Sequence, residues 1–264
     1  MIIFLIKLIA APLLLALATL PRGSTNGRVL GGILIGLPLI SGPISVFLAI
    51  ENGAGFAVET ARGALAGTVA LAVFTCVYAA VCPKGWLKAS FLSVALYVLA
   101  SWIAAELPIS AVTLAVSAAA AIVLSLWIMP VPHSAAVKHR PPKHDLLMRM
   151  GMMMVLMIAI TFLAPYIGPT ASGIASTFPY MALTMAVFSQ IQGGPDDARR
   201  AMHGLMLGMY SGLAFNAVVW TLAGGGRLPF PFVWPRLLIA YAAATAAALA
   251  AQGVVLALTL KKTA

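Results

Sequence analysis

Apolar runs alternate with short polar, glycine-rich or proline-containing stretches along the whole of this chain. A helix that crosses a bilayer needs roughly 20 apolar residues, and several of the runs approach that length. The pattern therefore predicts an all-α, polytopic membrane helix bundle. We predict about nine transmembrane helices, at 1–20, 29–50, 57–81, 86–105, 110–130, 146–164, 171–192, 198–223 and 234–260.

Residues 1–20 could instead form a signal peptide. The positive charge ahead of their apolar core is thin, and no A-x-A-like cleavage site follows it. We therefore interpret this segment as a first transmembrane helix.

The chain contains an internal repeat at a separation of 141 positions, because residues 32–79 align without a gap with residues 173–220. Val, Ile and Ala coincide easily in apolar sequence, whereas glycines, prolines and aromatic residues in register are hard to obtain by accident. The residues in register are Gly32, Pro38, Phe47, Gly53, Gly63, Gly67 and Phe74 in the first copy, and Gly173, Pro179, Phe188, Gly194, Gly204, Gly208 and Phe215 in the second.

The repeat and the predicted helices divide the chain into three parts. Residues 1–108 form a first four-helix repeat, 109–145 a linker helix with a basic cytoplasmic loop, and 146–264 a second four-helix repeat. The linker helix delivers the chain to the opposite membrane face before the second copy begins. We therefore predict a 4+1+4 arrangement with inverted-topology repeats.

The distribution of Lys and Arg tests the inversion without using the repeat, since cytoplasmic loops are enriched in these residues. Twelve of the 16 Lys and Arg residues fall on one predicted face and four on the other. We predict that the richer face is cytoplasmic, with the N-terminus outside and the C-terminus inside. The richer face has Arg22, Arg28, Lys84, Lys88, Lys138, Arg140, Lys143, Arg149, Arg199, Arg200, Lys261 and Lys262; the other has Lys7, Arg62, Arg227 and Arg236.

Composition agrees with the membrane assignment. The chain is 62% hydrophobic and 8% charged, which leaves too few polar side chains to cover a water-soluble surface. We attribute its net charge of +10 to membrane topology and predict no nucleic-acid partner. The expected partner is the lipid bilayer, and the expected location is a bacterial inner membrane.

Two of the predicted helices contain prolines near their centres. Proline removes a backbone donor and leaves a carbonyl without its partner within the helix, so Pro38, Pro43 and Pro179 are expected to break or kink their helices. Such breaks at mid-membrane depth recur in transporters, where they line substrate sites. Ser41 and Gly42 add to the irregularity of the first copy. The alternative is that the prolines only kink the helices.

Polar residues in or beside apolar spans are costly and need a partner or a purpose. We place six such residues along a hypothetical substrate path. Some lie at its outer mouth, some at its inner mouth, and one lies deep in the eighth span. Arg62 and His203 are repeat equivalents and would guard the two entrances. The alternatives are loop charges that reach the interface and, for Asn216, a helix–helix hydrogen bond. The set is Glu51, Arg62, Gln190, Gln192, His203 and Asn216.

Glycines four residues apart allow helix backbones to approach closely, and we assign them to helix packing. They suggest that spans 3 and 8 pack tightly against other helices, including each other. These residues are Gly63 and Gly67 in the first copy, with Gly204, Gly208 and Gly212 in the second.

We predict no metal site and no cofactor. His133, His139 and His144 lie in a basic loop with two prolines, and their spacing is poor for a fixed metal cage. No nucleophile elbow, P-loop, dinucleotide fingerprint or HExxH motif occurs, so we predict no catalytic residues and no enzymatic activity.

The repeat unit resembles small four-helix bacterial inner-membrane proteins of the GlpM type. The likeness rests on GIASTFPYMAL and RAMHGLMLGMYSG in the second copy and on GGILIGLPLISGP and ARGALAG in the first. The resemblance implies a four-helix membrane unit, here duplicated and fused, and little chemistry.

Two functions remain open from the sequence. The first is a transporter or channel for a small solute or ion, with a midplane path between the broken helices 2 and 7. The second is an assembly or lipid-handling subunit that binds a membrane-protein partner or a second copy of itself.

Overall fold

The structure, a computed structural model, describes residues 41–132, 145–223 and 233–263. A short 3₁₀ helix, Cys82–Lys84, follows the first α-helix, and these ranges contain no strand, which confirms the all-α prediction. The α-helices are α1 (Ser41–Val81), α2 (Trp86–Glu106), α3 (Ala111–Ile128), α4 (Asp145–Ser176), α5 (Tyr180–Ala223) and α6 (Val233–Thr263).

Five stretches within the described residues are long and apolar enough to cross a membrane, with mean hydropathy between 1.4 and 2.3. Large apolar side chains on α2 and α3 are exposed, such as Trp102 at 63% and Trp127 at 87%. Exposed apolar surface of this extent suits contact with lipid. The protein is therefore an integral membrane protein. The five stretches are Leu48–Lys84, Trp86–Glu106, Ala111–Ile128, Ala182–Ala223 and Leu237–Val255.

Three of the helices change direction at a single glycine. Gly53 in α1 has φ 88° and ψ 177°, Gly168 in α4 has φ 80° and ψ 171°, and Gly194 in α5 has φ 78° and ψ −176°. A positive φ is strained for side chains with a Cβ, so glycine suits these positions. Gly53 and Gly194 are repeat equivalents and share one backbone conformation.

These kinks change the predicted element boundaries. The predicted spans leave loops at 51–56 and 193–197, whereas both stretches are helical apart from the kink glycine. Likewise, α4 continues to Ser176, past the predicted end of the sixth span at residue 164. One glycine with positive φ redirects the chain, so no loop is required. The predicted first span and most of the second, 29–40, lie outside the described residues.

The parts of α5 before and after Gly194 contribute to one core cluster. Ala182 and Met185, which precede the kink, share one core cluster with Met202 and Met206, which follow it. Before Gly53, Ala49 likewise shares a cluster with Ala57 and Ala61 from beyond that kink. We therefore describe α1 and α5 as hairpins, each with a shorter arm and a longer arm that are divided by the kink glycine.

The longer arms, 54–81 of α1 and 195–223 of α5, pack against each other in opposite directions. Near one end, the Arg199 Nε donates a hydrogen bond to the Ala79 carbonyl over 3.2 Å. Near the other end, Ala57 and Ala61 share a cluster with Phe215 and Val219. These arms are repeat equivalents, so the equivalent segments run antiparallel at the centre of the described structure.

Helix α3, the predicted linker span, packs across both long arms. Its first turns lie in a cluster with Leu65 and Ala66 of α1, while Ile122 near its other end lies in a cluster with Met202 of α5. The sequence-predicted total of about nine spans arranged as 4+1+4 stays a prediction.

Candidate functional site at the break between α4 and α5

The chain leaves helical geometry between Ser176 and Tyr180, at the predicted break. Thr177 forms a turn, and Phe178 and Pro179 are non-helical. Pro179 has no N–H to donate to the preceding turn, which explains why α4 cannot run on into α5. Backbone hydrogen bonds of the α-helical type resume after the break, where the Leu183 N–H donates to the Pro179 carbonyl over 2.7 Å.

Three oxygen atoms from two helices meet at this break. The Tyr97 hydroxyl donates to the Ile174 carbonyl over 2.9 Å and lies 3.1 Å from Thr177 Oγ1. Thr177 Oγ1 in turn donates to the Ile174 carbonyl over 2.8 Å. Because Tyr97 lies in the middle of the 21-residue α2, this oxygen triangle lies at mid-span depth.

The aromatic ring of Tyr97 also covers the break. Tyr97 is only 2% exposed, and its ring meets the Phe178 ring edge to face, with a centroid separation of 5.5 Å and an interplanar angle of 87°. Edge-to-face pairs of this kind stabilise packing by about 0.5–1.5 kcal/mol beyond area burial. Helix α2 of the first half thus supports the broken helix of the second half.

Glycines of α1 allow the break to approach the long arm closely. A Cβ added at Gly67 would lie 1.9 Å from Thr177 Oγ1, and one at Gly63 would lie 2.1 Å from the Thr170 carbonyl oxygen. From the opposite side, a Cβ at Gly173 would lie 2.1 Å from the Thr60 carbonyl oxygen. Glycine at these positions is therefore required for the observed packing, and Gly67 makes room for the oxygen triangle.

Arg62 and His203 hold the two ends of α3. The Arg62 Nη2 donates to the Ile109 carbonyl over 3.1 Å, just before α3 begins. The His203 Nε2 lies 3.2 Å from the Pro130 carbonyl, just after α3 ends, which places a proton on Nε2. These repeat equivalents are therefore separated by the 18-residue α3, about 27 Å at the helical rise.

Gln190 connects the two halves at the end where α1 finishes. Its Nε2 donates to the Cys82 carbonyl over 2.6 Å, and its Oε1 accepts from the Tyr78 hydroxyl over 2.9 Å. Nearby, Arg199 pairs with Asp196 over 3.0 Å. The structure thus surrounds Gln190 with groups from the first half, although it lies in the second.

The remaining predicted path residues do not gather around the break. Asn216 is buried and donates to the Gly212 carbonyl in its own helix over 2.9 Å. Glu51 is exposed and Gln192 half-buried beside their kinks. Ser41, Gly42 and Pro43 form the start of α1, where Gly42 is buried, and Gly204, Gly208 and Gly212 lie within α5, the first two of them buried.

Some predicted features lie outside the described residues. These are Pro38, His133, His139 and His144. Within the ranges that the structure describes, no three or more His, Cys, Asp and Glu side chains group in a way that could hold a metal ion.

The sequence analysis missed Tyr97 and Thr177 as partners of the break. Tyr97 lies 12 positions into α2, outside the aligned repeat, so the duplication gives no signal for it. Thr177 stands directly before Phe178-Pro179, where a hydroxyl that can bond a freed carbonyl would have been a usable signal.

No family model, curated protein or solved structure gives a significant match to this chain. The resemblance of each half to GlpM-type proteins stays a prediction.

Proposed function

We propose that this chain is a transport protein of the bacterial inner membrane, a transporter or channel for a small solute or ion. Its path would run at mid-span depth beside the break at 177–179 and, by the sequence prediction, beside Pro38, which lies outside the described residues. The observation that carries the proposal is the oxygen triangle of Ile174, Thr177 and Tyr97 at a broken helix. Broken helices at this depth are a recurring way to build transport sites.

Inverted repeats add support. The long arms of α1 and α5 are repeat equivalents that run antiparallel, and their kink glycines, Gly53 and Gly194, share one conformation. Two copies inserted with opposite orientations would produce this arrangement, and such copies allow a site between them to face either side in turn. We place the N-terminus outside and the C-terminus in the cytoplasm, from the excess of Lys and Arg on one face.

One observation favours the second function, an assembly or lipid-handling subunit. The Ile174 carbonyl, which a transport site would offer to a substrate, already accepts bonds from the Thr177 N–H, the Thr177 hydroxyl and the Tyr97 hydroxyl. A break satisfied by its own protein can serve only to shape the bundle. Transport requires that at least one of these bonds be exchanged for a bond to solute or water.

The test begins with metabolite and ion profiling of cells that express the wild-type chain, followed by flux measurements in proteoliposomes for each solute that changes. Pro179→Ala is the test variant, because it restores a backbone donor at the break. Pro108→Ala is the matched control, because Pro108 is exposed in the turn between α2 and α3, away from the break.

We expect Pro179→Ala to lower the flux at least tenfold and Pro108→Ala to leave it unchanged. Unchanged flux in Pro179→Ala would remove the break from the mechanism. Absence of any flux, together with a membrane protein that copurifies in fixed ratio, would favour the assembly function instead.

A further inference from the structure

The two kinks create two equivalent junctions, one at each end of the antiparallel long arms. The first, which we call the polar junction, lies beside Gly194 and consists of Tyr78, Cys82, Gln190 and Arg199. The apolar junction consists of the residues that stand 141 positions away, Val219, Ala223, Ala49 and Val58, beside Gly53. Three of these pairs lie within the aligned repeat, and the pair Cys82 and Ala223 continues the same separation three positions past its end.

Hydrogen bonds close the polar junction. Gln190 binds both the Tyr78 hydroxyl, at 2.9 Å, and the Cys82 carbonyl, at 2.6 Å. Arg199 donates to the Ala79 carbonyl, and the Cys82 thiol lies 3.6 Å from the Pro195 carbonyl. Each of these bonds joins the end of α1 to the α5 hairpin.

Hydrophobic contact closes the apolar junction. Ala49, Val219 and Ala223 are each no more than 2% exposed and belong to one core cluster, against which Val58 packs. The same two helices thus meet at both ends, and among these four residue pairs the polar side chains all lie at the Gly194 end.

The two kinds of closure differ in the cost of opening. Tyr78 and Cys82 also belong to an apolar core cluster, so opening either junction exposes apolar surface, at about 25 cal/mol per Å². At the polar junction, water can replace the hydrogen bonds, which contribute about 0.5–1.5 kcal/mol net each, or about 1.5–3 kcal/mol where the charged Arg199 donates. The four side chains of the apolar junction have no hydrogen bonds that water could replace. A cleft lies beside the polar junction, and it is lined by Pro83, Gly193, Pro195, Asp196 and Arg199.

We propose that the polar junction is the gate of the transport path, which opens by exchanging its hydrogen bonds for water, while the apolar junction stays closed as the pivot. This inference rests on the proposed transport function, and it predicts that the end of the long arms beside Gly194 is the one that moves. Opening separates the α5 hairpin from the end of α1 and exposes the thiol of Cys82, which is 0% exposed in the closed structure.

Cys82 is therefore a native reporter of the gate. The experiment uses the full chain in lipid nanodiscs with Cys76→Ala, so that Cys82 is the single cysteine. The rate of maleimide labelling is measured by mass shift, with and without Gln190→Ala. The matched reporter carries Cys76→Ala, Cys82→Ala and Ala223→Cys, which places the cysteine at the equivalent position of the apolar junction.

We expect Gln190→Ala to accelerate Cys82 labelling about tenfold, because it removes two hydrogen bonds of about 0.5–1.5 kcal/mol each and tenfold corresponds to about 1.4 kcal/mol. The Ala223→Cys reporter should label slowly with or without Gln190→Ala. Equal acceleration of both reporters would show general loosening, and no acceleration of Cys82 would show a fixed junction; either result overturns the gate.

Labelling requires no substrate, so the outcomes separate the two proposals. If Cys82 is labelled selectively but the protein shows no flux, the transport proposal is wrong, although this end of the protein does open. Flux with unchanged Cys82 labelling would reject the gate and keep transport.

Discussion

Gly67 offers the sharpest test of how the break is held. In the variant Gly67→Ala, the new Cβ would lie 1.9 Å from Thr177 Oγ1 and 3.1 Å from Thr177 Cβ. The Thr177 hydroxyl must rotate away and lose its bond to the Ile174 carbonyl and its contact with Tyr97.

The magnitude follows from three contributions. Overpacking costs about 1–3 kcal/mol. Each lost hydrogen bond within a membrane protein costs about 0.6 kcal/mol. Alanine offsets about 1 kcal/mol of this through its greater helix propensity. We therefore expect Gly67→Ala to lower the free energy of unfolding by about 1–3 kcal/mol in total.

The assay is SDS-driven unfolding in mixed micelles, arranged as a double-mutant cycle with Thr177→Ala. Removing the threonine hydroxyl removes the closest clash, so Gly67→Ala should cost less than about 1 kcal/mol in that background. Gly55→Ala is the control, because a Cβ at Gly55 meets nothing within 4 Å and should be neutral or stabilising. An equal cost of Gly67→Ala with and without Thr177→Ala would refute the contact.

Three further predictions concern the break, the ends of α3 and the kinks. Tyr97→Phe should cost about 1 kcal/mol through its lost hydroxyl bonds, and an unchanged free energy of unfolding would contradict those bonds. Arg62→Leu and His203→Leu should each raise the rate of amide hydrogen exchange at the end of α3 that the residue contacts. A uniform rise along α3 would show that the two residues do not stabilise the two ends separately. Gly53→Ala and Gly194→Ala should each lower the free energy of unfolding by about 1–2 kcal/mol, because an added Cβ meets no neighbour and only the positive φ is strained. An unchanged free energy of unfolding would show that the backbone at the kinks relaxes.

Membrane character and the break were predictable from the sequence, because both depend on local chemistry. Apolar runs of spanning length give the helices, and Phe178-Pro179 removes the donor that a continuous helix would need. The close approach at Gly63 and Gly67 also follows from their spacing, since only small residues allow it.

The tertiary partners were not predictable in the same way. The glycine spacing does not reveal that Gly67 makes room for Thr177, nor that Arg62 contacts a carbonyl beside α3. Tyr97 reaches the break from another helix, a contact between residues 77 positions apart along the chain. The kinks were also not predictable. The repeat identifies Gly53 and Gly194 as equivalent positions, but their positive φ depends on how the hairpin arms pack.

The central claim is that the two copies of the repeat lie in one membrane with opposite orientations. Glu51→Cys and Gln192→Cys place single cysteines at repeat-equivalent positions beside the two kinks, in a background of Cys76→Ala and Cys82→Ala. The measurement is labelling by a membrane-impermeant maleimide in intact cells, compared with permeabilised cells. We predict that the cysteine at position 51 is labelled in intact cells and the one at 192 only after permeabilisation; labelling of both in intact cells would contradict the inverted arrangement.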